Sequence, residues 1–346
     1  MPNDSKITSD FNKTLKQVQG DSGVDCEILR SAQNDGIYPS PLVGEGELLN
    51  ERSEFSNSGE GSKNIKLAKF AGFCYGVKRA VETAKKLKSE NPDKNIFVLG
   101  ELIHNAHVIK ELEALGIKTL TEIPEKGEGI CVIRSHGESP QVIEKIKNAG
   151  FEIVDLTCPD VKKVQQKAIE LAKGGYFVVI VGKSEHPEVV AIRANAELYS
   201  DKIVVAATPE QLKEYDLNNQ RVGVVVQTTQ RISTLNSIVE YLKNIVSELR
   251  VENTICKSTS MRQTEAKELA QNSDLVIVVG SKKSANTTHL AEILKDITNT
   301  IHIENADELE SYKELLEKSN SISITAGAST PQDVIDKVIS ELNHPL

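Results

Sequence analysis

The sequence predicts an α/β protein of three pseudo-equivalent units, each built on a parallel sheet. Three observations predict it. Short apolar runs of β-branched residues alternate with helical patterns of 10 to 15 residues from Ile65 to the end of the chain, the signature of βαβ units. Three cysteines, Cys74, Cys158 and Cys256, each stand between a strand and an amphipathic helix, and their intervals are about one small α/β domain. The 346 residues leave room for two or three such domains.

The middle cysteine shows the pattern best. FEIVD (151–155) reads as a strand, and Val161–Lys173 has apolar residues at helical spacing. Cys158 lies between them, and Pro159 suits the first helical position. A thiol at the carboxyl end of a strand and the positive end of a helix is expected to have a lowered pKa and to favour the thiolate, which binds metal or attacks electrophiles. IKLAKFAGFCYGVKRAVETAKKL repeats the arrangement around Cys74, and NTICKSTSMRQTEAKELAQ repeats it around Cys256. A threefold repeat of this kind brings three thiolates together at its centre.

In chain order, residues 1–64 are rich in Ser, Asn, Asp, Gly and Glu with no sustained period, and read as a disordered extension that includes Cys26. The folded part divides into units at 65–157, 158–255 and 256–346. Strands are expected at Ile96–Leu99, Ile130–Arg134 and Tyr176–Val181, in KIVVAAT and RVGVVVQTTQ, and in DLVIVV and SISITA. Helices follow, one ending near Gly116, one from Pro140 and one over Ser233–Ser247. Ligands of parallel sheets bind beyond the carboxyl ends of the strands. That rim carries Cys74, His104, His136, Cys158, His186, Glu188, Thr228, Cys256, Ser284, Asn286 and Ser329.

Composition bounds the chemistry. Forty-one basic against 50 acidic side chains give a net charge of −9, which disfavours a broad nucleic-acid surface. No apolar run reaches the ~18 residues of a membrane span, and the start lacks a secretory pattern. Five scattered cysteines without a CxxC pair suit a reducing cytoplasm rather than a disulfide framework or a zinc ribbon. Cys131, inside the strand ICVIR, reads as core. The other three suit metal ligation. Three thiolates fit a [4Fe–4S] cluster with one iron lacking a protein ligand better than they fit zinc. His104, His136 and His186 occupy equivalent loop positions, from which they can cradle an anion or relay protons. The loops GSKKSAN and TAGASTP lead into helices, whose N-termini and hydroxyls suit phosphate. GKS at 182–184 is not a P-loop, since Phe177 stands where the first glycine belongs, and no GxGxxG follows a strand. Glu188, sharing a short loop with His186, is placed as a general acid.

Taken together, GFCYGVKRAVE, the IHN of His104, RSHG, DLTCP followed by VKKV, GKSEHPEV, QTTQ, TICKSTSMRQ, GSKKSAN and TAGASTP resemble the 4-hydroxy-3-methylbut-2-enyl diphosphate reductase family, of the IspH/LytB type. The resemblance covers about Ile65 to Leu342. It implies a trefoil of three α/β domains around a [4Fe–4S] cluster held by Cys74, Cys158 and Cys256. It implies a diphosphate bound by His104, His136, His186, Ser284, Asn286 and Ser329. Thr228 and Glu188 would lie near an allylic hydroxyl, with Glu188 as proton source. The family often has Ser-Ser-Asn where this chain has Ser284-Ala285-Asn286, so the backbone N–H of Ala285 stands in for one hydroxyl contact. The implied reaction is two-electron removal of the C4 hydroxyl, fed by a donor such as ferredoxin or flavodoxin, in the cytoplasm. Two rivals are a three-cysteine cluster enzyme of the quinolinate synthase type and a non-catalytic metal or redox module.

Overall fold

The structure is a computed structural model that describes residues 55–56 and 63–343. Most of the expected N-terminal extension lies outside those residues. Among the described residues, thirteen strands form three sheets. The first sheet has the order β4-β3-β5-β6, from β3 (Ile96–Leu99), β4 (Ile117–Leu120), β5 (Ile130–Ile133) and β6 (Glu152–Asp155), all parallel. The second repeats it as β8-β7-β9-β10, from β7 (Phe177–Val181), β8 (Ile203–Ala206), β9 (Arg221–Val226) and β10 (Glu248–Val251), again parallel.

The third sheet contains β11 (Leu275–Val279), β12 (Asn299–Ile303) and β13 (Ser321–Ala326). Its fourth parallel strand is β2 (Asn64–Leu67), paired with β13 from Asn64↔Ser321 to Leu67↔Ile324. The strand expected to open the first unit therefore completes the sheet of the last. The edge of β13 that β11 leaves unpaired presents a row of backbone donors and acceptors, and β2 satisfies them. Phe55–Ser56 (β1) pairs antiparallel with β2, so the expected extension joins the fold at these two residues.

Each central strand serves two cores, because successive side chains alternate across the pleat. In β5, Ile130 and Val132 face one cluster, while Cys131 and Ile133 face another with Ile146 and Phe151. In β7, Val179 and Val181 face one side, and Val178 and Ile180 the other. Burial on both faces explains the unbroken apolar runs. It stabilises each Val or Ile by roughly 1.5–3 kcal/mol.

Among the described residues, eleven helices and one 3₁₀ segment cover the sheets. The helix after each cysteine packs on the sheet that follows it in sequence. α1 (Tyr75–Glu90) places Ala80, Val81 and Ala84 against Ile96 and Val98 of the first sheet. Between strands of that sheet run α2 (Ala106–Ala114) and α3 (Pro140–Ala149). α4 (Pro159–Lys173) places Val164, Ala168 and Leu171 against Val178 and Ile180 of the second. α5 (Pro187–Ala196), α6 (Pro209–Leu212) and α7 (Ile232–Lys243) belong to the second sheet. α8 (Lys257–Ala270) places Ala266 and Ala270 against Val276 and Val278 of the third. α9 (Ala285–Lys295), the 3₁₀ turn Ala306–Tyr312, α10 (Lys313–Lys318) and α11 (Gln332–Asn343) complete the third. Among the described residues no helix is long and apolar enough to cross a membrane.

Candidate active site

The three cysteines occupy equivalent places. Cys74, Cys158 and Cys256 are the N-caps of α1, α4 and α8. Each follows the last parallel strand on one side of a sheet, and its N–H donates to a carbonyl of the loop after the neighbouring strand. Cys74 reaches Ala328 O at 3.1 Å, Cys158 reaches Ser135 O at 2.9 Å, and Cys256 reaches Thr228 O at 3.0 Å. These bonds set three thiols on one rim. Gly76 keeps the space between them clear. A Cβ there would sit 2.6 Å from Cys158 Sγ and 4.0 Å from Cys74 Sγ. Cys256 Sγ accepts from Thr259 N at 3.4 Å and lies 3.1 Å from its Oγ1.

The expected lowering of thiol pKa is reversed at Cys158 and Cys256. Burial pushes Cys158 up to about 12 and Cys256 up to about 11, against the helix N-termini and backbone N–H groups that favour the thiolate. Desolvation wins because the sulfurs are enclosed and the neighbouring Cys74 opposes a further negative charge.

Three imidazoles face these thiols. His104 and His136 stack with centroids 4.5 Å apart, and His186 meets both edge-on at 5.9 and 5.5 Å. One ring nitrogen from each lies within 4.8 Å of the other two. His186 caps α5, accepting from Glu188 N at Nδ1 over 3.2 Å, so a neutral ring carries its proton on Nε2 and presents a donor. His104 Nδ1 lies 3.0 Å from Glu101 Oε2 and donates to it. Burial, then the neighbouring ring His104, lowers His186 to about 3; burial and the two adjacent rings hold His136 well below the usual range. His136 Nδ1 is buried without a hydrogen-bond partner.

Glu188 is not the loop residue expected. It lies in the first turn of α5 and is 1% exposed. Its carboxylate accepts from Thr228 N at 2.6 Å and from Thr228 Oγ1 at 2.8 Å. Burial raises its pKa to about 7, despite those two bonds. Ser284 caps α9, Ala285 opens that helix, and the buried Nδ2 of Asn286 has no partner. Ser329 Oγ donates to His104 O at 3.3 Å, tying the third sheet's rim to the first's.

A cavity of about 750 Å³, mouth included, is lined by Cys74, Cys158, Cys256, His104, His136, His186, Glu188, Thr228, Ser284, Ala285, Asn286 and Ser329. Every residue expected on the rim therefore reaches one space, of the size that holds a small ligand. Tyr75, Asp160, Thr229 and Thr259 also line it and were missed. Tyr75 hydrogen-bonds Asp160 and Cys158 and its pKa is raised, chiefly by burial. Adjacency to a cysteine in sequence was the available signal for Tyr75 and Asp160.

The family profile described as LytB protein matches residues 65–343. The chain belongs to the LytB family. Curated LytB-type relatives agree over the same span. A 4-hydroxy-3-methylbut-2-enyl diphosphate reductase of Pelobacter propionicus is 41% identical over 279 residues, covering 80% of this chain and 97% of that one. Its counterpart from Geobacter sulfurreducens is 42% identical over 282 residues, covering 81% and 97%. Among solved structures, an (E)-4-hydroxy-3-methyl-but-2-enyl diphosphate reductase described as the terminal enzyme of the non-mevalonate pathway matches at 38% identity and TM-score 0.61. It covers 80% of this chain and 98% of that one. The E-1-hydroxy-2-methyl-but-2-enyl-4-diphosphate reductase from Plasmodium falciparum matches at 28% identity and TM-score 0.75, covering 82% and 89%. The LytB match spans all three sheets, including β2.

Proposed function

We propose that this chain is a 4-hydroxy-3-methylbut-2-enyl diphosphate reductase. It converts (E)-4-hydroxy-3-methylbut-2-enyl diphosphate to isopentenyl and dimethylallyl diphosphates, the last step of the non-mevalonate route to isoprenoids. The overall change takes two electrons and two protons and releases water. One observation carries the reading: three thiols, three imidazoles, a buried carboxyl and the α9 N-terminus converge on one cavity. The family match over 65–343 favours it over the quinolinate synthase type and over a non-catalytic module.

Cys74, Cys158 and Cys256 suit a [4Fe–4S] cluster. The glycine cradle at Gly76 leaves room beside two of the sulfurs, and the soft all-thiol donor set matches iron–sulfur chemistry. Three cysteines leave one iron without a protein ligand. When bound, the cluster supplies electrons and a Lewis-acidic iron.

The protein's own groups do the rest. The diphosphate lies against His104, His136 and His186 and the Ser284–Asn286 turn, where His186 Nε2–H, the Ala285 N–H and the free Asn286 Nδ2 donate to phosphoryl oxygens. The unpartnered polar atoms of His136 and Asn286 are the mark of a site awaiting a polar ligand. Helix termini favour the negative charge. Glu188, protonated in part near neutrality, is held toward the cavity by Thr228 and passes its proton to the departing hydroxyl oxygen. Electrons come from a small carrier of the ferredoxin or flavodoxin class in the cytoplasm.

The test is anaerobic reconstitution followed by dithionite-driven turnover of the allylic diphosphate. Consumption of substrate with both diphosphate products, and iron bound near four per chain, is the expected result. An iron-loaded protein that leaves the substrate untouched overturns the assignment.

A further inference from the structure

α8 carries a buried guanidinium for which the reaction as described has no use. Arg262 is 3% exposed. Its Nη2 donates to Gly72 O at 2.8 Å, two residues before Cys74, and its Nη1 donates to Ser258 O at 3.3 Å, two residues after Cys256. Its Nε is buried without a partner. The acidic groups near it are Cys74, Cys256 and Glu265. Glu265, the carboxylate among them, places its oxygens on the backbone N–H groups of Lys69 at 2.6 Å and Phe70 at 2.9 Å.

A guanidinium stays charged at any physiological pH, and burying one without an anion is expensive. Here the remaining neighbours able to carry negative charge are the two cysteines. We propose that Arg262 is the built-in counter-ion of the thiolate-held centre, a positioning residue that joins the Cys74 and Cys256 loops and favours the reduced state. The inference rests on those cysteines being cluster ligands. Three thiolates give a [4Fe–4S]²⁺ core a net charge of −1, and one-electron reduction makes it −2. A fixed positive charge bonded to the backbone of both the Cys74 and Cys256 segments stabilises the second state more than the first, which raises the reduction potential.

The test compares reconstituted wild type, Arg262→Gln and Arg262→Lys by reductive titration with dithionite, followed by electron paramagnetic resonance. Arg262→Gln should lower the ratio of reduced to oxidised cluster at a fixed potential at least tenfold, a shift of about 59 mV to more negative values for one electron. Arg262→Lys, which keeps the charge, should recover most of it. A midpoint in Arg262→Gln equal to wild type overturns the proposal, and so does a Lys variant as displaced as the Gln one. If Arg262→Gln fails to load, iron per chain is the readout: loading by Arg262→Lys alone supports a charge role, and failure of both overturns it. Wild type without iron would instead overturn the ligand assignment on which the proposal stands.

Discussion

Replacing Glu188 by Gln tests the chemistry without disturbing the frame. Glu188 accepts two hydrogen bonds from Thr228, at 2.6 Å from N and 2.8 Å from Oγ1. A glutamine carbonyl can keep the first, and the Thr228 hydroxyl can turn to accept the second from the amide. The side chain therefore stays in place and loses only its proton. With a pKa of about 7, the wild-type acid is about half protonated at neutrality. Roughly a tenth remains protonated one pH unit higher, and kcat should fall about eightfold between pH 7.5 and 8.5. Glu188→Gln should lose ~10²–10⁴ in kcat, some 3–5 kcal/mol of barrier, and its alkaline limb should vanish. The assay is dithionite-driven turnover across pH, on preparations matched for iron, beside a spectroscopic substrate titration to show that affinity is retained. Turnover within about threefold of wild type, or an unchanged alkaline limb, would refute the reasoning and move the proton source elsewhere in the cavity.

Thr228→Val removes the hydroxyl that favours the ionised Glu188, so the alkaline limb of kcat should shift to higher pH, read from the same profile. Gly76→Ala puts a Cβ 2.6 Å from Cys158 Sγ, and iron per chain should drop sharply while the circular dichroism of the apo chain is unchanged. Serine at Cys74, Cys158 or Cys256 should abolish cluster loading; Cys131→Ser should keep its iron and cost about 1–3 kcal/mol in denaturant unfolding through a buried hydroxyl. Glu188 also predicts a stability slope. Its folded pKa of about 7 lies above the usual 4.5, so the folded chain holds a proton that the unfolded chain releases, and stability falls as pH rises between those values. Apo Glu188→Gln should lack that fall, a difference in slope of up to about 1.4 kcal/mol per pH unit.

The sequence showed the central strands and the cysteine loops because their causes are local. Runs such as VVIV in β7 and LVIVV in β11 are apolar throughout since both faces are buried. Outer strands are less visible: IKTL, ELRV and NTIHI mix polar and apolar residues because each leaves part of its surface to solvent. The helix expected over Ser233–Ser247 stops at Lys243, and β10 takes up the chain at Glu248. The pairing of β2 with β13 depends on contacts across almost the whole chain, which no local pattern encodes. Arg262 escaped notice for another reason. The buried face of α8 is Thr259, Arg262, Gln263, Ala266 and Ala270, at helical spacing but largely polar, so a search for apolar periodicity passes over it. The thiol pKa was misjudged because a helix N-terminus is readable in sequence and the depth of burial is not.

The placement of β2 sets an order in time. A ribosome releases this chain from its amino end at about 5–20 residues per second, and domains tend to fold as they emerge. The first two sheets can close in that order, since all their strands are contiguous. Asn64–Leu67 cannot dock until Ser321–Ala326 has been made, and the loop that holds Cys74 N–H on Ala328 O waits with it. The first cysteine of the pocket to be synthesised is thus the last to be set in place. If the three cysteines hold the cluster proposed above, their set is complete only once β13 and the Ala328 loop have been made, and a nascent chain stalled short of β13 presents Cys158 and Cys256 with Cys74 not yet set beside them.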